Sequence, residues 1–171
     1  ARVHSPAYVE SIRNLAEAGG ALDQDTVLSA RSYEVACMAA GAVCDAVDKV
    51  IAGGELHAFC LIRPPGHHAS RSKGAGFCLF NNVALGAQRA IDQHGLDRVF
   101  IVDWDVHHGD GTQKIFWEDG RVGVFSIHRY PFYPGTGAAD EIGAGPGLGT
   151  KLNVPIAFGT LRTEYLQQFE R

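Results

Sequence analysis

A chain of 171 residues with 46% hydrophobic content has room for one domain with a buried core. Its net charge of −4 and scattered Lys and Arg exclude the basic footprint of a nucleic-acid binder, while a cationic partner such as a histone tail or a polyamine suits the charge. No stretch reaches the ~18 apolar residues of a membrane-spanning helix, and no secretory signal is visible. The four cysteines, Cys37, Cys44, Cys60 and Cys78, form no CxxC pair and are read as reduced thiols of a cytoplasmic protein.

Residues 6–18 predict a helix with Pro6 in its first turn and Gly19-Gly20 at its end. Asp23 to Ser32 is a polar connection whose acids are expected to cap the next helix, a substrate-facing position being the alternative. From Tyr33 to Ile51, Val35, Met38, Ala39, Ala42, Val43, Ala46, Val47 and Val50 recur at helical spacing, which predicts a core helix with Cys37 and Cys44 in its packing. Ala58 to Ile62 reads as a short buried strand, ended by Arg63-Pro64-Pro65-Gly66 and followed by His67-His68. Adjacent histidines on one loop cannot face the same way, so each needs its own partner, and Asp103 and Asp110 are the spare carboxylates. Residues 74–82 form a glycine-permitted loop into a helix that buries Val83, Ala84, Ala87 and Ile91, with Asn81 or Asn82 as its N-cap.

Residues 99–103 predict a buried strand, and from Asp103 the chain places Asp103, Asp105 and His107 at alternate positions before Gly109-Asp110-Gly111. Side chains two apart on a strand share a face, and open α/β sheets bind ligands at the C-terminal ends of their strands. A carboxylate and an imidazole delivered together at such an end suit a metal ion. Five ionisable side chains within residues 103–110 are too many for helix capping alone, since burying them unpaired would cost several kcal/mol.

A helix near Thr112–Trp117 and a strand over Val122–Ile127, ending in Ser126-Ile127-His128, complete an alternation of strands and helices. The expected fold is therefore α/β, a three-layer α-β-α domain with a mainly parallel sheet. Three strand ends, after residues 62, 103 and 127, would converge on one edge. Tyr130 to Gly137 is a stiff aromatic loop, and the glycines from Gly143 to Gly149 lack the Gly-Lys-Ser/Thr of a phosphate loop. Tyr165 to Arg171 reads as an amphipathic helix without a C-cap glycine, and both ends are expected to be cut, leaving 1–171 as a single partial domain.

The run Arg63-Pro64-Pro65-Gly66-His67-His68-Ala69, with Gly76-Phe77-Cys78, residues 103–113 (DWDVHHGDGTQ) and Phe132-Tyr133-Pro134-Gly135-Thr136-Gly137, resembles the zinc-dependent histone deacetylase family. It is most similar to the class II and bacterial members and the acetylpolyamine amidohydrolases. The resemblance extends over nearly the whole chain and implies an arginase/deacetylase-like sheet, incomplete at both ends, together with hydrolysis of an N-acetyl amide by zinc-activated water.

It also implies residue roles. Asp105 and His107 match two of three zinc ligands; His68 matches a general base and acid, His67 its electrostatic partner, and Asp103 and Asp110 the carboxylates that orient them. Gly76 matches a carbonyl that holds the substrate amide, and Phe77 and Tyr133 the aromatic walls of an acyl-lysine channel, where the family usually has Phe in place of Tyr133. A K+ or Na+ ion is implied at Asp103, Asp105, His107, Ser126 and Ile127, and a second, weaker one near Phe116, Asp119 and Val122.

The family's third zinc ligand, a later aspartate, and its oxyanion-binding tyrosine have no match here, so the chain alone is expected to be inactive and, with an exposed strand edge, to self-associate. The implied partners are an acetylated lysine peptide, an acetylated polyamine or another small amide. The alternatives are a non-catalytic acyl-lysine or small-ligand binding module and a manganese ureohydrolase. The latter would call for further Asp clusters and a His-x-Asp partner in place of His67-His68.

Overall fold

The computed structural model describes residues 3–170. In chain order they form α1 (Pro6–Ala18), α2 (Ser32–Ile51), α3 (Asn82–His94), β1 (Val99–Asp103), α4 (Asp110–Ile115), β2 (Val122–Arg129), β3 (Lys151–Ile156) and α5 (Arg162–Phe169). The sheet is parallel, in the order β1-β2-β3, with Val99 beside Val122 and Val124 beside Lys151. All three strands deliver their C-terminal ends to one edge, as the α/β reading requires.

Local chemistry accounts for the elements. Ser5 caps α1 by accepting the Tyr8 N–H, Pro6 fills the first turn, and Gly19 ends it at φ 69°. The buried stripe Tyr8, Ile12 and Ala16 packs with Leu28, Ala36, Leu79 and Phe80 into one core cluster. A second cluster sets Ala84, Ala87 and Ile91 of α3 against Ile101, Val122 and Val124 of the sheet, with Phe116 beneath. On the other face Phe169 of α5 meets Phe125 edge-on at 5.5 Å, while Phe100, Val102 and Leu152 stay exposed.

Asn81 ties these parts together. Its side-chain oxygen accepts the Ala84 N–H and caps α3, its amide donates to the Ala69 carbonyl at 2.9 Å and to the Thr112 hydroxyl at 3.0 Å, and its backbone N–H donates to His4 Nε2. The loop that carries His67-His68 and the start of α4 thus hang from one buried helix cap.

The structure corrects several expectations. Residues 58–62 are not a strand: among the described residues none pairs with them, Phe59 and Leu61 are exposed, and Ala58, Cys60 and Ile62 line a cleft of ≈ 510 Å³ with Ile101 and Val102. The third strand is β3, whose Lys151 and Pro155 hid a parallel edge strand from the hydrophobic pattern. The strand at residues 99–103 ends at Asp103, so Asp105 and His107 do not share a strand face with it. Met38 and Cys37 on α2 face solvent, because only Ala36, Ala39 and Ala40 of that helix are fully covered. Asp23 caps no helix; α2 begins after Arg31 without a side-chain cap. The final helix is Arg162–Phe169, and Arg171 lies outside the described residues. All four cysteines are unpaired.

His4 makes the fold acid-sensitive. Burial pulls its pKa below the usual 6.5 by desolvating the charged ring, and protonating Nε2 would break the hydrogen bond it accepts from the Asn81 N–H. Above pH 6.5 the ring is neutral in both states and contributes nothing; below it the unfolded chain takes a proton that the folded ring refuses, so stability falls. The contribution has a ceiling of about 1.4 kcal/mol per pH unit. Urea unfolding at pH 7.5 and pH 5.5 should show a smaller acid loss in His4→Gln than in the parent; equal losses would mean that His4 carries none of it.

Candidate active site

At the C-terminal edge of the sheet two imidazole–carboxylate pairs stand side by side. His67 Nδ1 lies 2.9 Å from Asp103 Oδ2 and His68 Nδ1 lies 2.9 Å from Asp110 Oδ1, with the two rings 4.1 Å apart between centroids. Asp103 closes β1 and Asp110 opens α4, so the pairs are built from opposite ends of a six-residue turn. Gly109 lies in that turn because any Cβ there would strike Asp103 Oδ2 and crowd His67 Nδ1. The histidine loop is fixed from behind, where Thr112 N–H donates to the His67 carbonyl at 3.0 Å.

The electrostatics follow from burial. Desolvation opposes charge on His67, but the hydrogen bond and negative charge of Asp103 outweigh it and raise its pKa. Desolvation likewise opposes charge on Asp103 and Asp110, and the facing histidines, joined at Asp110 by Lys114 at 2.6 Å, hold both below the usual carboxylate range. Each ring faces its carboxylate through Nδ1, the geometry in which Nδ1–H donates to the carboxylate oxygen.

Beside this buried pair is a more open one. The Asp105 N–H donates to Asp103, and the His107 N–H donates to Asp105 Oδ1, so two successive side-chain turns, not a strand, bring Asp105 and His107 together. His107 Nδ1 lies 3.2 Å from the same Asp105 oxygen, and the two side chains are 35% and 50% exposed against 4% for His68. One carboxylate oxygen and one ring nitrogen facing each other in the open fit two positions of a zinc ion. Among the described residues no group of three or more His, Cys, Asp or Glu is gathered for a metal.

The walls come from two loops. Gly76 (φ 54°) and Phe77 (φ 67°) form a left-handed turn held by Asp23, which accepts the Gly76 N–H at 3.1 Å, and by the Thr26 hydroxyl, which accepts the Phe77 N–H at 2.9 Å. A Cβ at Gly76 would come within 2.5 Å of His68 Cδ2. Tyr133 sits edge-on to His68 at 5.0 Å, and Phe132 stacks on His107 at 5.2 Å. Burial, with Asp23 and Asp110 nearby, raises the Tyr133 pKa. The aromatic loop is anchored by a polar chain: His108 contacts Thr136 and Gln113, Gln113 donates to Glu141, and Glu141 accepts the Gly137 and Ala138 N–H groups. Burial and the neighbouring His128 push His108 down to about 4.

Of the residues singled out from sequence, His67, His68, Asp103, Asp110, Asp105, His107, Gly76 and Tyr133 are brought together, and Phe77 stands half-exposed at the rim. Ser126 lies beside Asp103 in the sheet register, but its hydroxyl faces His128 Nδ1 at 2.9 Å; Ile127 is buried. At the second expected cation position, the Lys151 ammonium lies against the carbonyls of Asp119 and Val122. Sequence reading missed Phe132 over His107, the Asp23 tether and the Lys114 contact to Asp110. Only the i,i+4 spacing of Asp110 and Lys114 carried a sequence signal.

Twin histidine–carboxylate pairs thus stand beside an open Asp/His pair at the sheet edge. The histone deacetylase domain family matches residues 1–171, and the chain belongs to that family. It is 44% identical to a probable deacetylase of Archaeoglobus fulgidus over 92% of this chain and 44% of that protein. It is 42% identical to the histone deacetylase-like amidohydrolase of Pseudomonas aeruginosa over 99% of this chain and 45% of that protein. The HD domain of HDA15 superposes with a TM-score of 0.94 at 40% identity, covering 98% of this chain and 49% of the other. The chain spans about half the length of these relatives.

The Asp23 tether is open to a direct test. Removing its acceptor in Asp23→Ala should speed amide exchange at Gly76 about fivefold, for a lost hydrogen bond of about 1 kcal/mol, while amides of α1 keep their rates. Unchanged exchange at Gly76 would show that Thr26 alone holds the turn.

Proposed function

We propose that this chain provides the proton-handling centre and two metal ligands of a zinc-dependent amidohydrolase that cleaves an N-acetyl amide of the acetyl-lysine or acetylpolyamine type. The observation that carries the reading is His68 on its buried carboxylate, its ring 5.0 Å from Tyr133 and 6.0 Å from His107 of the open pair. Asp105 and His107 would hold the zinc, which when bound polarises the scissile carbonyl and lowers the pKa of a water at its open position. His68 Nε2 takes the proton of the attacking water and returns it to the leaving amine, and the Asp110 carboxylate offsets the charge that this places on the ring. His67, whose pKa Asp103 raises, favours a positive charge 4.1 Å from the His68 ring, where it would stabilise the negative tetrahedral oxygen. The Gly76 carbonyl would accept the amide N–H, with Phe77 and Tyr133 flanking the acyl chain.

A K+ or Na+ ion held mostly by oxygens of Asp103, Asp105, His107, Ser126 and Ile127 belongs to the same proposal, supported by the register that sets Asp103 beside Ser126. A hydrolytic zinc takes three protein ligands and the described residues supply two, so the chain by itself is proposed to be inactive.

The test measures zinc content and deacetylation of a fluorogenic acetyl-lysine peptide in the full-length protein. His68→Ala should lose about 10²–10⁴-fold in rate with its zinc retained, and Asp105→Ala should lose the zinc. Tight peptide binding without product release in the zinc-loaded parent would replace the enzyme reading with a binding module.

A further inference from the structure

Lys151, the first residue of β3, is 1% exposed, and its contacts are all with neutral oxygens. Its ammonium donates to the Val122 carbonyl at 2.9 Å, to the Asp119 carbonyl at 3.3 Å and to the Thr150 hydroxyl. The nearby Asp119 carboxylate is turned away, gripping Arg121 through Nε at 3.0 Å and a terminal nitrogen at 2.7 Å. Lysine is almost never fully buried unless paired. Here the carbonyls of Asp119 and Val122, at the entry to β2, and the hydroxyl of Thr150, at the entry to β3, are aimed at one point, the arrangement that replaces the hydration shell of a hard monovalent cation. Burial pulls the Lys151 pKa down, and the charge of Asp119 opposes that pull and favours the ammonium.

The resemblance to deacetylases implied a weak second cation near Phe116, Asp119 and Val122, and the side chains found there do not fit a free ion, because a charged nitrogen already fills the place. We propose that the Lys151 ammonium is a tethered replacement for that ion: it offsets the carbonyls of Asp119 and Val122 and locks β3 to the turn that leads into β2, leaving no free-ion site at this turn. The inference does not depend on the catalytic reading, since this turn lies at the N-terminal ends of β2 and β3, opposite the site.

The test uses the full-length protein and Lys151→Ser, which removes the charge and opens space. Crystals of each are soaked in rubidium chloride, and melting is compared in potassium chloride and in choline chloride at equal ionic strength. The wild type should show no anomalous peak between the Asp119 and Val122 carbonyls, and the variant should gain one. After subtraction of the wild-type difference, which removes any ion bound elsewhere, the variant should melt about 4 °C lower in choline than in potassium. A rubidium peak at those carbonyls in the wild type overturns the proposal, as does a folded variant that neither gains the peak nor distinguishes the two salts. If the variant does not fold in either salt, the wild-type soak decides alone, absence of the peak supporting the proposal and its presence overturning it.

Discussion

Two adjacent imidazoles can both be held only if two separate carboxylates reach them from different directions, and much of this molecule is arranged to meet that requirement. Asp103 arrives from the end of a buried strand and Asp110 from the first turn of a helix. The turn between them must be tight, hence Gly109 against the Asp103 carboxylate. The histidine loop must also be immobile, which explains why Asn81, Thr112 and the Ala69 carbonyl form one buried hydrogen-bonded joint behind it. A carboxylate buried without its imidazole would cost several kcal/mol, so the pairs and the fold around them are mutually dependent.

Burial is graded across the site, and the grading separates the roles. The His67 and His68 pairs lie in the protein, where charges interact strongly, while Asp105 and His107 face outward and pair with each other. The aromatic loop bridges the two regions, Tyr133 against His68 and Phe132 against His107. Its position is set from below by the His108–Gln113–Glu141 chain, in which His108 is kept neutral by its surroundings.

Charge is handled differently at the two ends of the sheet. At the C-terminal edge, acids and imidazoles are paired and left partly open. At the N-terminal edge, Lys151 is sealed against the carbonyls of Asp119 and Val122. Along β1 the sheet ends at the apolar cleft below residues 58–62, and Phe100, Val102 and Trp104 are exposed there or on the adjoining face.

Three kinds of information were legible in the chain itself: helices whose caps and apolar stripes are local, such as α1 and α3; strands that are continuous apolar runs, such as β1 and most of β2; and the residue types that carry the chemistry, concentrated in His67-His68 and residues 103–110. These depend on interactions within a few residues, which spacing records. Tertiary structure decided the rest. Whether Ala58–Ile62 is a strand depends on a pairing neighbour, and none of the described residues supplies one. Whether residues 151–156 are one depends on pairing with β2, which rescues a segment containing a lysine and a proline. Asp105 and His107 meet through turns that the alternating spacing mimicked. That Lys151 ends as a buried cation, and Met38 as an exposed apolar residue, follows from which faces the packed elements cover, a property that no local pattern contains.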